Sequence, residues 1–241
     1  TVRLRATGYD WGSEGVGDIG NETNIRYTVT GGALANAGQL DIVSSLVNYN
    51  ARVELIASLV NQATGTVNVT SANSGSQNKA HLLGLAGASH QNMGSFTVTG
   101  GMGLKVAGNG TSFVQSGASA SLNASNMIFL NGVSDAAHTF TINGGSIQGF
   151  FDFWRANVTV APGVIYAGAT TFKFYSQGNP GQDYLNTLDV PSLPPEVTLD
   201  IRNTANKRGR VQVTSPNGYV SQATVIIRSD NQDYNNAPLE G

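Results

Sequence analysis

Phe96-Thr97-Val98, Phe113-Val114, Met127-Ile128-Phe129, Phe140-Thr141-Ile142, Val158-Thr159-Val160 and Phe172-Lys173-Phe174 belong to one series of short segments running from Leu40 to Phe174. Leu40-Asp41-Ile42-Val43, Val53-Glu54-Leu55-Ile56, Val67-Asn68-Val69 and His81-Leu82-Leu83 open it. Segment starts lie about 15 residues apart. Apolar and polar residues mostly alternate, the period of a strand with one buried face. Glycine often follows a segment, as at Gly100, Gly117, Gly132, Gly144, Gly163 and Gly178. The series therefore predicts an all-β chain of many short strands joined by tight turns.

Two internal repeats reinforce this reading. Asp41–Asn48 (DIVSSLVN) and Glu54–Asn61 (ELIASLVN) match position by position at an offset of 13. Apolar density over 39–62 also suits a helix, but β-branched residues and Asn-containing ends favour strands. Thr28–Gly32 (TVTGG) returns as Thr97–Gly101, with a variant at Thr141–Gly145. Repeats imply stacked similar units, and Gly pairs after a strand mark bends that need positive φ. Regular spacing with Gly and Asn turns predicts a parallel β-solenoid. An antiparallel sandwich or jelly roll is the alternative, although sandwich strands recur at a closer spacing of about 8–12 residues.

Composition narrows the function classes. The chain has 241 residues, enough for one large β-domain. Charged residues make up 12%, against about 25% in a typical soluble domain. Between Glu54 and Asp183 the acids are Asp135 and Asp152, and the bases are Lys79, Lys105, Arg155 and Lys173. Amides and hydroxyls, not charges, must form that surface, which suits packing against neighbours or extended backbone ladders. Net charge is −2, so neither nucleic acid nor an anionic membrane is an expected partner. There is no Cys, no apolar run long enough for a membrane-spanning helix, and no visible signal peptide.

The expected organisation has three parts. Residues 1–27 form an N-terminal strand and docking loop, with Arg3 and Arg5 on one strand face. Residues 28–190 form the repetitive body. Pro191–Pro195 reads as a semi-rigid linker. Residues 196–241 form a small C-terminal β-element with a polar tail, where Pro216-Asn217-Gly218 suits a hairpin turn.

Phe140–Gly149 (FTINGGSIQG) and Asn157–Gly168 (NVTVAPGVIYAG) resemble rungs of parallel β-helix surface proteins, such as phage tailspikes, virion appendages and bacterial adhesins. The resemblance spans roughly residues 28–175 and lies in the pattern rather than in a family signature. It implies a self-assembling virion structural or attachment protein, acting as capsid decoration or as a tail or receptor-binding appendage. Expected partners are other virion or surface subunits, further copies of the chain and a surface glycan. A secreted bacterial adhesin is the second reading, and a polysaccharide-degrading enzyme the third.

Chemistry-bearing residues are few. His81, His90 and His138 lack metal-ligand spacing and read as turn or strand-end residues. No nucleophile elbow or phosphate-binding loop occurs, and no cofactor is expected. Asp10, Glu14, Asp18 and Glu22 lack the ordered spacing of a Ca²⁺ loop. Asp135 and Asp152 lie 17 residues apart and are the best carboxylate pair for glycoside cleavage, with Arg155 nearby. Phe150, Phe151, Asp152, Phe153, Trp154 and Arg155 form the candidate ligand or interface site. Aromatic faces stack on sugars, and Trp and Arg often anchor interfaces. Alternation places Phe151 and Phe153 on one face of the strand, Phe150 and Trp154 on the other.

Overall fold

The computed structural model describes residues 1–6, 24–44, 52–71, 80–130, 136–176, 184–203, 209–214 and 220–229. The described strands begin with β1 (Val2–Ala6), β2 (Asn24–Asn36), β3 (Gln39–Ser44), β4 (Arg52–Asn61), β5 (Thr66–Thr70), β6 (His81–Gly84) and β7 (Ser89–Asn92). Next come β8 (Ser95–Thr99), β9 (Leu104–Ala107), β10 (Ser112–Gln115), β11 (Ser121–Leu130), β12 (His138–Ile142), β13 (Ser146–Trp154) and β14 (Ala156–Val160). The last are β15 (Ile165–Ser176), β16 (Tyr184–Asp189), β17 (Ser192–Leu193), β18 (Val197–Asn203), β19 (Gly209–Thr214), β20 (Val220–Ser221) and β21 (Thr224–Ser229).

The chain is a parallel β-solenoid of about six turns. Each coil crosses three faces. The first face stacks β1, β3, β5, β8 and the opening halves of β11, β13 and β15. On the second lie the opening halves of β2 and β4, then β6, β9, the closing halves of β11, β13 and β15, and finally β18 and β21. The third holds the closing halves of β2 and β4, then β7, β10, β12, β14, β16 and β19. Pairings between described strands are parallel throughout, which requires this coiled connection.

Register explains the sequence spacing. Leu40 pairs with Val67, and Val67 with Phe96, so one coil is nearly twice the spacing of the apolar segments. Most neighbouring segments therefore mark different faces rather than successive coils; Phe140–Ile142 and Val158–Val160, which stack directly on the third face, are the exception. The offset-13 repeat is likewise not a stacking repeat. Asp41 pairs with Asn68 on the first face, whereas Glu54 pairs with Leu82 on the second. Strands at both ends of the chain join the same stack. β1 pairs with β3, β2 with β4, β18 with β15, and β19 with β16. Pro216–Gly218 lies outside the described residues. The flanking strands β19 and β20 pair with β16 and β17.

Inward residues make one continuous core. From the middle of the stack onward it is aromatic. Phe96 meets Phe113 at 5.7 Å between ring centroids, Phe113 meets Phe140 at 5.9 Å, and Phe129 meets Phe153 at 5.1 Å. Phe153 then meets Phe174 at 5.3 Å. Edge-on and offset contacts of this kind add to the burial energy of each ring. In the last coil the inward Val225 and Ile227 remain about half exposed, at 50% and 49%.

A buried amide ladder seals the corner between the third and first faces. The Nδ2 of Asn36 donates to Asn61 Oδ1 at 2.8 Å, and that of Asn61 to Asn92 Oδ1 at 2.8 Å. Asn92 Nδ2 donates to Gln115 Oε1 at 2.9 Å. Spare amide hydrogens reach backbone carbonyls at the first residues of the first-face strands, Thr66, Ser95, Ser121 and Ser146. Beyond Gln115 the register continues with Ile142 and Val160, and the ladder ends.

At the corners flanking the second face, buried polar side chains stand in for missing backbone partners. The amide of Val53 donates to His81 Nδ1 at 2.9 Å, and that of Leu59 to His90 Nδ1 at 3.2 Å. Asn186 Oδ1 accepts from the Ala156 amide at 2.8 Å. Each gives a buried backbone amide the acceptor it requires. His81, His90 and His138 all stand at or beside strand starts, as their spacing suggested.

Gly149 marks the bend in β13 between the first and second faces. Its φ is +113°, and a Cβ there would collide with the carbonyl oxygen of Ala124 on the preceding coil. Gly149→Ala is expected to lose about 2 kcal/mol, from strained backbone and lost approach. Urea unfolding of the variant checks it; an unchanged midpoint would show that the bend tolerates a side chain.

Candidate functional site

The outward side of the second face carries the densest chemistry among the described residues. One outward column runs Arg26, Glu54, Leu82, Lys105, Ile128, Asp152, Lys173, Asp200 and Ile226 in continuous register. Two residues further along each strand, a second column runs Trp154, Tyr175, Arg202 and Arg228. Parallel in-register stacking places these side chains about 4.8 Å apart along the coil axis.

β13 divides the predicted cluster Phe150–Arg155. Phe151 and Phe153 point inward and are fully buried. They belong to the core, because strand alternation sends them toward Phe140, Phe172 and Phe174. Phe150, Asp152 and Trp154 point outward, as alternation predicted. Arg155 has φ +65° and turns the chain from the second face into the third. Asp135, the proposed partner of Asp152, lies outside the described residues, as do Asp10, Glu14, Asp18 and Glu22.

Asp152 is the electrostatic centre. It faces outward yet is only 3% exposed. Lys173 Nζ stands 3.4 Å from its Oδ2, and the Trp154 Nε1–H donates to its Oδ1 at 3.1 Å. The Lys173 ammonium also sits 3.9 Å over the Tyr175 ring and 5.7 Å over that of Phe150. Trp154 and Tyr175 touch at 5.3 Å between ring centroids. On the next coil Arg202 binds Asp200 at 2.9 Å. Burial pushes the Asp152 carboxyl up to about 6; the Lys173 ammonium, the Trp154 N–H and the Arg202 charge hold it from rising further. Desolvation of a charged group outweighs attraction when the site is this dry.

The same construction recurs near the N-terminal end. Glu54 is gripped by Arg26 and Arg52, each at 2.7 Å, and Asp41 by Arg3 at 3.2 Å. Burial opposes ionisation of Glu54, but the two guanidiniums win and hold its carboxyl below the ordinary value. For Asp41, hydrogen bonds from Asn68 and Gln39, then Arg3, have the same effect.

Lys173, Tyr175, Asp200 and Arg202 were not named among the candidate residues. A signal for them exists in three short matches: Phe151-Asp152-Phe153-Trp154, Phe172-Lys173-Phe174-Tyr175 and Leu199-Asp200-Ile201-Arg202. Each reads apolar, charged, apolar, then aromatic or Arg, and the three stack directly. Their unequal separations hide them from any search at fixed period.

Trp154→Phe removes the indole donor while keeping an aromatic ring. The expected cost is about 1 kcal/mol, the value of one hydrogen bond to a charged or partly charged acceptor. The Asp152 carboxyl should also titrate higher. Carboxyl NMR titration with urea unfolding checks both; an unmoved Asp152 would mean that the indole does not bind it in solution.

Among the described residues, no group of three or more His, Asp or Glu could hold a metal ion. No described helix is long and apolar enough to cross a membrane. Comparison of the chain with protein families, curated proteins and solved structures finds no match.

Proposed function

We propose that the chain is a non-enzymatic structural or attachment protein of a virion or extracellular surface, built to present a rigid surface and to assemble with other subunits. One observation carries this reading. The four buried carboxylates among the described residues, Asp41, Glu54, Asp152 and Asp200, are each committed to a basic partner in the same or an adjacent coil. A glycoside hydrolase needs two carboxyls flanking an accessible bond. Here acids serve as parts of the ladder, and amides and hydroxyls make up much of the remaining outer surface. Asp152, raised to about 6, has the acidity of a general acid but is enclosed by Trp154 and Lys173.

The test combines sizing with a reducing-end assay on a panel of polysaccharides. The expected result is a stable assembly of copies and no new reducing ends. A monomer that releases oligosaccharides would overturn the proposal. Loss of that release in Asp152→Asn would move the assignment to a polysaccharide-degrading enzyme.

A further inference from the structure

We infer that Lys173 and Asp152 condense slowly, with no partner enzyme, into an amide that clamps β15 to β13, and that the Trp154 indole assists the step. The inference stands apart from the presenting role and needs no ligand. Its first support is register. Asp152 and Lys173 are direct partners on adjacent coils, with Nζ 3.4 Å from Oδ2. Groups held this close react at effective concentrations far above those in solution. Contrast is the second support. In the other described ion pairs the base is a guanidinium, of Arg3, Arg26, Arg52 or Arg202. A guanidinium keeps its protons, whereas a lysine amine is a nucleophile once it gives one up. On the far side of Lys173, Asp200 is in register but bound by Arg202, so Asp152 is the carboxyl offered to the amine. Dryness is the third support. Asp152 is 3% exposed and Lys173 9%. Two buried charges carry a desolvation cost that a neutral amide lacks, and little water is present to drive hydrolysis back.

The step balances within the pair. A proton passes from the Lys173 ammonium to the Asp152 carboxylate, which burial already makes a better proton acceptor. The Nζ lone pair then forms a bond to Cγ. Oδ2 leaves as water, carrying its own proton and one from the nitrogen, and the C–Oδ2 bond breaks. Nothing is oxidised or reduced. Oδ1 bears the negative charge of the tetrahedral intermediate and stays as the amide carbonyl. The Trp154 Nε1–H donates to this Oδ1 at 3.1 Å, where the charge gathers. The Tyr175 face, 3.9 Å from Nζ, favours the ammonium. Neutral amine is therefore scarce, and the bond forms over days rather than during folding. The titration of Asp152 belongs to the freshly folded chain, since the amide does not titrate.

The experiment follows the intact mass of the folded full chain, fresh and after days of warm incubation, and then maps its tryptic peptides. The mass should fall by one water. Digestion should yield a branched peptide that joins the segment ending at Arg155 to the one carrying Lys173. Lys173→Arg, which keeps a cation beside Asp152, should hold its full mass throughout. Trp154→Phe should condense about a hundredfold more slowly, the effect of losing one donor to a developing oxyanion. The wild-type chain alone decides the main point, so a variant that fails to fold leaves the test intact. An unchanged wild-type mass after incubation would overturn the inference. So would loss of water without a branched peptide, which marks cyclisation of an Asp on its own backbone. Equal rates in wild type and Trp154→Phe would likewise overturn it, since the indole would then play no part.

Discussion

Asn92→Ala is expected to be the most damaging single change in the body of the solenoid, lowering stability by roughly 4 kcal/mol. Asn92 is completely buried and makes bonds in both directions. Its carbonyl accepts from Asn61, and its amide donates to Gln115 Oε1 and to the Ser121 carbonyl. Alanine leaves Gln115 and Ser121 without that donor, and deprives Asn61 of one acceptor in a dry corner. Each buried polar group stripped of its partner costs about 1–3 kcal/mol. The loss corresponds to a fall of roughly 10 °C in Tm for a chain of this size. Leucine would not rescue it, because the same orphaned groups remain. Calorimetry of Asn92→Ala, Asn61→Ala and the double variant provides the check. Because the two amides share a bond, the double variant should lose clearly less than the sum. Additive losses would show that the ladder is not coupled in solution.

That ladder also explains why part of the coil was hidden in the sequence. The first and second faces were legible because their inward positions are apolar: Leu40, Val67 and Phe96 on one, Leu55, Leu83 and Val106 on the other. Early in the stack the third face fills inward positions with Asn61, His90, Asn92 and Gln115. A search for apolar alternation passes over Ser89–Asn92 (SHQN), although it is as much a strand as its neighbours. Early in the stack two visible faces out of three yield an apparent period near half a coil; from Phe113 onward third-face segments enter the series as well. Fold class survived because the parallel solenoid requires only many short strands with tight turns. Coil length stayed open, the spacing suiting either one short coil or one side of a larger one, because buried amides satisfied by backbone carbonyls look like surface residues in a sequence; the register settles it as the larger coil.

The candidate site was half legible for a related reason. Alternation correctly sorted Phe151 and Phe153 from Phe150 and Trp154. It carries no information about the next coil, which supplies Lys173 and Tyr175. The sequence offered Arg155 as the base near Asp152, whereas the structure places Lys173 of the next coil against it.

Between pH 4 and 6 the stability of the chain should contain two opposed slopes, and removing Asp152 should uncover one of them. His90 lies inside the core, 1% exposed, with Nδ1 accepting from the Leu59 amide. Burial, aided by the charge of nearby His138, lowers it from 6.5 to about 4. Its folded value is depressed, so the unfolded chain takes up the proton first. The stability linked to the neutral ring is complete above about pH 6.5 and is lost as pH falls toward 4. Asp152 behaves oppositely. Its folded value is raised from 3.8 to about 6, so its contribution is complete below 3.8 and is lost as pH rises through 6. Each group alone contributes a slope of about 1.4 kcal/mol per pH unit, so either could total about 3 kcal/mol across its window. In the overlap, roughly pH 4 to 6, the two slopes largely cancel. His81, also lowered by burial, adds to the rising side. In Asp152→Asn the falling slope vanishes, and stability should climb with pH more steeply than in the wild type. His90→Gln, whose amide oxygen can still accept from Leu59, should tilt the profile the other way. Urea midpoints at pH 4, 5, 6 and 7 for the three proteins decide the matter. Parallel profiles for wild type and Asp152→Asn would mean that Lys173 keeps the carboxylate ionised across the whole range, and that the acid in this column is a permanent charge.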